Sequence, residues 1–145
     1  RIQVVKGWVD AAGRSHEHIF DIAASDGRQP DAATGKLPQL GSTVDVADAS
    51  YTNSIGAAEL RALWTDPRFD PALEAFYYAR VIEIPTPRWS TYDAKKLGVE
   101  APAPTEIQER AVTSAIWYAP PAPGAGRDAL VAGRYPAAAT DARMR

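Results

Sequence analysis

The residues best suited to metal chemistry in this chain are two histidines, set one residue apart in His16-Glu17-His18-Ile19-Phe20-Asp21. Alternate side chains of an extended strand share a face. The two imidazoles would then stand roughly 6 to 7 Å apart and could converge on one zinc or other transition-metal ion. A third ligand must come from elsewhere, because the chain has two histidines and no cysteine. Asp21 falls on the opposite face of a regular strand. The plainer expectation is two solvent-facing side chains on a half-exposed strand.

A second group is acidic: Asp45 and Asp48, then Asp66, Asp70 and Glu74. Paired carboxylates can hold calcium or move protons. Asp45-Val46-Ala47-Asp48 lacks the Asp-x-Asp-x-Asp-Gly spacing of a calcium loop. Asp66-Pro67 and Asp70-Pro71 read as turn or helix-boundary signals. Ser54 has no Gly-x-Ser-x-Gly elbow around it and no histidine near in sequence, so Asn53 or Ser54 is expected to cap a helix instead of attacking a substrate. No phosphate-binding glycine loop is present.

Binding chemistry is better represented by Ile84-Pro85-Thr86-Pro87-Arg88-Trp89. Its prolines fix an extended backbone. Arg88 and Trp89 then offer a forked cation and a large amphipathic ring, a pair suited to an interface or an anionic group. Tyr78 and Arg80, on one face of the preceding strand, are further contact candidates.

These residues must be positioned by strands. Residues 2–10 and 16–22 alternate and read as a β-hairpin closed through Ala11-Ala12-Gly13-Arg14. Residues 25–41, rich in Asp, Gly, Pro and Ala, read as a long loop. A strand is expected over 42–47. A helix is expected over 55–64, where Leu60, Leu63 and Trp64 share a face and Pro67 ends the run. Residues 75–84 are aromatic and β-branched, the strongest strand pattern in the chain, with Pro85 and Pro87 expected to end it. A short helix is expected at 92–97, capped by Gly98, and a last strand over 109–118. The expected fold is mainly β, an antiparallel β-sandwich or partly open sheet with one short helix and long loops. Residues 1–119 are read as the domain, incomplete at its N-terminus. Residues 120–145, rich in Ala, Pro and Gly, are read as a flexible tail.

Composition narrows the class. A chain of 145 residues fits one domain. A net charge of −2 gives no electrostatic footprint for nucleic acid or an anionic membrane. The absence of cysteine excludes disulfides, thiolate zinc sites and a cysteine nucleophile. No apolar run approaches the roughly 20 residues of a membrane span. Arg1-Ile2-Gln3-Val4 already reads as strand interior, so the chain is expected to be a piece of a longer protein.

Taken in order, several stretches carry a family resemblance. They are Arg1 to Asp10, Val44-Asp45-Val46 with Tyr51-Thr52-Asn53, Trp64-Thr65-Asp66-Pro67, Tyr77-Tyr78-Ala79-Arg80-Val81 running into Pro85-Thr86-Pro87-Arg88-Trp89, and Ser114 with Ile116-Trp117-Tyr118. The set resembles the C-terminal part of the bacterial family known as domain of unknown function 3604. The resemblance implies a parent several times longer, periplasmic or secreted. Its N-terminal part would resemble the metal-dependent hydrolases of the polymerase-and-histidinol-phosphatase superfamily, with a divalent metal held on a barrel. Ala115 stands where the family usually has Pro, and His18 where Lys is more typical, which counts against a two-histidine metal site. The resulting expectation is a non-catalytic accessory domain that packs on that barrel, with self-association of the isolated piece, no cofactor of its own, no nucleic acid and no membrane insertion. The rivals are a free-standing module that grips a carbohydrate or anionic ligand, and a small metalloenzyme using His16 and His18.

Overall fold

The computed structural model describes residues 1–121. Five antiparallel strands form one open sheet. They are β1 (Ile2–Val9), β2 (Ser15–Ala23), β3 (Ala75–Pro87), β4 (Glu106–Val112) and β5 (Ile116–Tyr118), with one helix, α1 (Trp89–Leu97), between β3 and β4. The order is β2-β1-β3-β4, and β5 joins β3 beside β4. Of the two arrangements expected, the chain takes the open sheet.

The β1–β2 hairpin forms where alternation placed it. Asp10 closes it: its Oδ1 accepts from the Ala12 and Arg14 amides, at 2.9 Å each, and Gly13 takes the left-handed conformation at φ +78°. Register then sorts the side chains. Val4, Lys6 and Trp8 lie opposite Phe20, His18 and His16, and opposite Ala79, Tyr77 and Ala75 of β3. Gln3, Val5 and Gly7 share the other face with Asp21, Ile19 and Glu17, and with Arg80, Tyr78 and Phe76.

The first face is covered by irregular chain. Trp64 packs its ring 4.8 Å from Phe20 and 6.4 Å from Tyr77, and Phe69 meets Tyr118 edge-on at 4.9 Å. A buried ion pair pins this layer. Lys6 Nζ donates to Asp66 Oδ2 and to the Arg68 carbonyl, both at 2.6 Å, and the Tyr77 hydroxyl donates to the same Asp66 oxygen at 2.7 Å. The Lys6 and Asp66 side chains are only 5% and 6% exposed. Burial works against the Asp66 charge, but the bonds from Lys6, Tyr77 and the Arg68 amide prevail and hold its carboxyl below the usual range. Burial, with Asp66 beside it, pushes the Tyr77 hydroxyl up.

Five local expectations are corrected. No helix forms over 55–64. A run this short is marginal in isolation, and the chain is instead tied down residue by residue. Gly56, at φ +85°, lies so close to Ile84 that a Cβ would meet its methyl at 2.5 Å, and its amide donates to Asp26 at 2.9 Å. Trp64 then turns inward while Leu63 is fully exposed, so the supposed helical stripe is split. Residues 42–47 form no strand. Only a bridge between Asp45 and Ser50 remains, closing a tight turn.

Pro85 and Pro87 do not end β3. Pairing on the β1 side ends at Ile82, whose amide and carbonyl bond Arg1, and Thr86 and Arg88 occupy the positions that bond toward β4 and Thr105. The prolines therefore turn their missing N–H to the vacated side. A bulge between Ile82 and Pro85 admits one extra residue, and the Gln108 amide covers the Glu83 carbonyl at 2.9 Å. Finally, the expected strand over 109–118 is two strands. Between them Thr113 substitutes for the ladder: its Oγ1 accepts from the Ala79 amide and its own amide donates to the Ala79 carbonyl, both at 3.0 Å. The expected short helix begins earlier, at Trp89, and ends at Gly98, at φ +67°. The expected tail, from residue 122 onward, lies outside the described residues.

Removing one member of a buried ion pair strands the other. Asp66→Asn should therefore cost about 3 kcal/mol in urea unfolding. The joint change Lys6→Met and Asp66→Leu should restore most of it. An equal loss in both variants would show that packing, not the pair, holds residues 64–71 on the sheet.

Candidate ligand and docking surfaces

His16 and His18 do share a face, but each ring is already engaged. His16 stacks on Trp8 with centroids 5.1 Å apart, and its Nε2 lies 2.8 Å from Asp10 Oδ2. His18 meets the Phe20 edge at 4.4 Å, and its Nδ1 lies 3.3 Å from an Arg68 guanidinium nitrogen. Lys6 pairs opposite His18 in the register, so two cations stand where a metal would want anions. Asp21 lies on the other face, paired with Gln3. Among the described residues no three His, Cys, Asp or Glu side chains are grouped to hold a metal.

The other acidic residues are spread apart. Asp48 pairs with Lys95 at 2.6 Å, Asp45 closes its turn with Ser50, and Asp70 Oδ1 accepts from the Ala72 amide. Asp66 is the exception, since it anchors the covering layer.

Arg88 and Trp89 stand together where the end of β3 meets α1. Arg88 is the N-cap residue in extended conformation (φ −67°, ψ 154°), and its guanidinium carbon lies 6.0 Å from the Trp89 ring centre. Trp89 does not pack into its own core: it is 68% exposed. The helix buries Ser90, Thr91 and Ala94 and exposes Tyr92 and Leu97, with Val99 exposed just past the Gly98 cap. Thr91 Oγ1 fixes the helix by donating to the Thr105 carbonyl at 2.6 Å. β4 is exposed at every residue.

Tyr78 and Arg80 lie near the middle of β3, on the sheet face away from Trp64. Phe76 and Tyr78 hold their rings nearly parallel, 7° apart in plane and 6.5 Å between centres. Phe76 seats its ring tip over Gly7, where a Cβ would lie 2.3 Å from Cζ. Trp117 pairs opposite Phe76, 5.2 Å away and 74% exposed. Arg80 Nε and Nη2 both donate to Gln3 Oε1, at 2.9 and 2.6 Å, and Gln3 Nε2 donates to Asp21 Oδ1 at 2.8 Å.

Sequence reasoning missed this Gln3 bridge, the Asp10–His16 contact and the Lys6–Asp66–Tyr77 pin. A lysine set within an apolar strand signals a carboxylate brought from elsewhere, but the sequence gives no sign of which one.

These features define a small single-sheet antiparallel domain with one covered and one open face. The chain belongs to the family described as "Protein of unknown function (DUF3604)", whose model matches residues 1–120. No curated protein and no solved structure matches the chain.

Asp10 offers a direct check of the hairpin geometry. Its contact with His16, aided by the Arg14 and Ala12 amides, holds its carboxyl down at about 2. The folded value lies below the roughly 3.9 of a free Asp, so its contribution to stability is present above about pH 4 and fades as pH falls toward 2. Carboxyl NMR titration should place Asp10 near pH 2, and His16→Ala should move it upward. An unchanged titration in that variant would remove His16 as the cause.

Proposed function

We propose that this chain is a non-catalytic accessory domain that docks against the remainder of a longer parent protein through its α1 end. The observation that carries this reading is the exposure of Trp89, Leu97 and Val99, at 68%, 73% and 60%, on one short helix and its capping turn. Large apolar side chains gathered on one element mark an interface more often than chance exposure does. Arg88 over Trp89 supplies the cation–aromatic pairing common at the centres of such interfaces. β4, exposed at every residue, starts opposite Pro87, just before the helix.

Family resemblance supplies the partner on this reading: a barrel similar to metal-dependent hydrolases, in which the divalent metal and the catalytic residues would lie. This chain would stiffen that barrel or wall its active site, in a periplasmic or secreted protein. No helix among the described residues is long and apolar enough to cross a membrane.

Hydrogen exchange comparing the isolated chain with the intact parent tests the docking. Amides of residues 88–99 and of β4 should be protected in the parent, and Trp89→Asp should abolish that protection. The isolated chain should self-associate in sedimentation and hydrolyse neither phosphate nor sulfate esters. Equal exchange in both forms, or robust hydrolysis by the isolated chain with added zinc or manganese, would overturn the proposal.

A further inference from the structure

We propose that the open face of the sheet binds a carbohydrate bearing an acidic group, with Phe76, Tyr78 and Trp117 taking the C–H face of a sugar ring and Arg80 its carboxylate or sulfate. This surface lies away from the α1 patch. The three rings belong to the N-terminal part of β3 and its partner β5, whereas α1 follows the far end of β3.

The surface has two dissimilar halves that follow one another along β3. One is aromatic: Trp117 is largely exposed, and Phe76 and Tyr78 are half-buried with nearly parallel rings. The other is polar and already organised. Gln3, 5% exposed, grips Arg80 through two bonds to its Oε1 and holds Asp21 through its amide. That orientation commits Nε and Nη2 of Arg80, while Nη1 makes no hydrogen bond among the described residues. Asp21 Oδ2 is likewise without one. A fixed donor and a fixed acceptor thus stand beside an apolar surface in which Trp117 is tilted 47° from Phe76. Preorganised polar groups beside aromatic rings are the usual lining of a small-ligand site.

A pyranose ring matches both halves, since it has an apolar face and a hydroxyl edge. A protein partner fits less well, because a dry apolar interface would have to desolvate Arg80 and Asp21. Charge selects the kind of sugar. Arg110 pairs opposite Ile82 on this same face, two positions along from Arg80, and makes no ion pair among the described residues. Arg1 lies 3.8 Å from Asp21 Oδ1 and offsets it, so Arg80 and Arg110 outweigh the carboxylates at this end of the face, and an acidic substituent fits the remaining Nη1 of Arg80. Nucleic acid is disfavoured: Asp21 and Glu17 share the face, and the chain carries a net charge of −2.

Calorimetric titration of the whole chain tests this with four probes: trigalacturonate, a sulfated galactose oligomer, the neutral galactose oligomer and oligothymidylate. At least one acidic sugar should bind saturably and more tightly than the neutral one. Trp117→Ala, a change at an exposed position, should weaken binding about tenfold or more, the scale of one lost aromatic contact. Arg80→Gln should erase the preference for the acidic sugar while the neutral one still binds, and Arg80→Lys should restore it only in part. Trp89→Asp should change nothing, which separates this surface from the docking patch. Saturable binding of neither acidic sugar, full binding by Trp117→Ala, or tighter binding of oligothymidylate would each overturn the proposal.

Discussion

The fold depends on a charge that water cannot reach. Lys6 is central in β1, flanked in register by His18 and Tyr77, with its ammonium almost wholly buried. An isolated ammonium at such a depth would be prohibitively costly. Asp66 answers it, and Asp66 arrives from a stretch with almost no regular structure of its own. The need to neutralise one side chain therefore draws an irregular segment onto the sheet, and Trp64 and Phe69 come with it. Apolar packing fills the space, but the ion pair sets the register of loop against strand.

This arrangement explains the asymmetry of the sheet. One face has a second layer made from turns and single contacts in place of a second sheet. On the other face Trp117 is exposed, Phe76, Tyr78 and Arg80 are half-buried, and Gln3 is closed beneath them. Val5, 1% exposed, is sealed on that open side because Ile19 and Tyr78 flank it in register. A single layer of long side chains can thus dry the backbone without a covering element. It leaves an amphipathic surface in place of a buried core, and that is where recognition chemistry becomes available.

Strands whose side chains alternate cleanly were legible in the sequence: β1, β2 and most of β3, together with the Asp10 turn region and Gly98. Those patterns arise from period-two burial, which is local information. The failures share a cause. The stretch 55–64 has helix-forming residues and an apparent stripe, but Gly56 against Ile84 and Trp64 against Phe20 are decided by residues more than twenty positions away. Pro85 and Pro87 read as terminators because sequence does not show that β1 has already left that side of β3. Thr113 reads as mid-strand because a hydroxyl replacing a backbone donor or acceptor has no pattern of its own. Of the candidate contact residues, Arg88, Trp89, Tyr78 and Arg80 are singled out by type, while Gln3, Asp21 and Trp117 come beside Arg80 and Tyr78 only through register. His16 and His18 were placed on a common face correctly, yet their rings are held by Asp10, Trp8, Phe20 and Arg68, and none of these contacts is written in the His-x-His spacing.

The two prolines near the end of β3 have a consequence for how this domain can associate. Past Ile82, which still bonds Arg1, the strand has no ladder partner on the β1 side, and an unpaired flank invites another chain to add itself by main-chain pairing. With Pro85 and Pro87 presenting ring carbons in place of N–H groups, an incoming strand would find carbonyls but no donors at alternate positions. Sheet extension is blocked there twice, by the missing donors and by the burial of both proline rings. Whatever meets this end of the molecule has to recognise it by side-chain shape and charge, a more selective criterion than backbone alone.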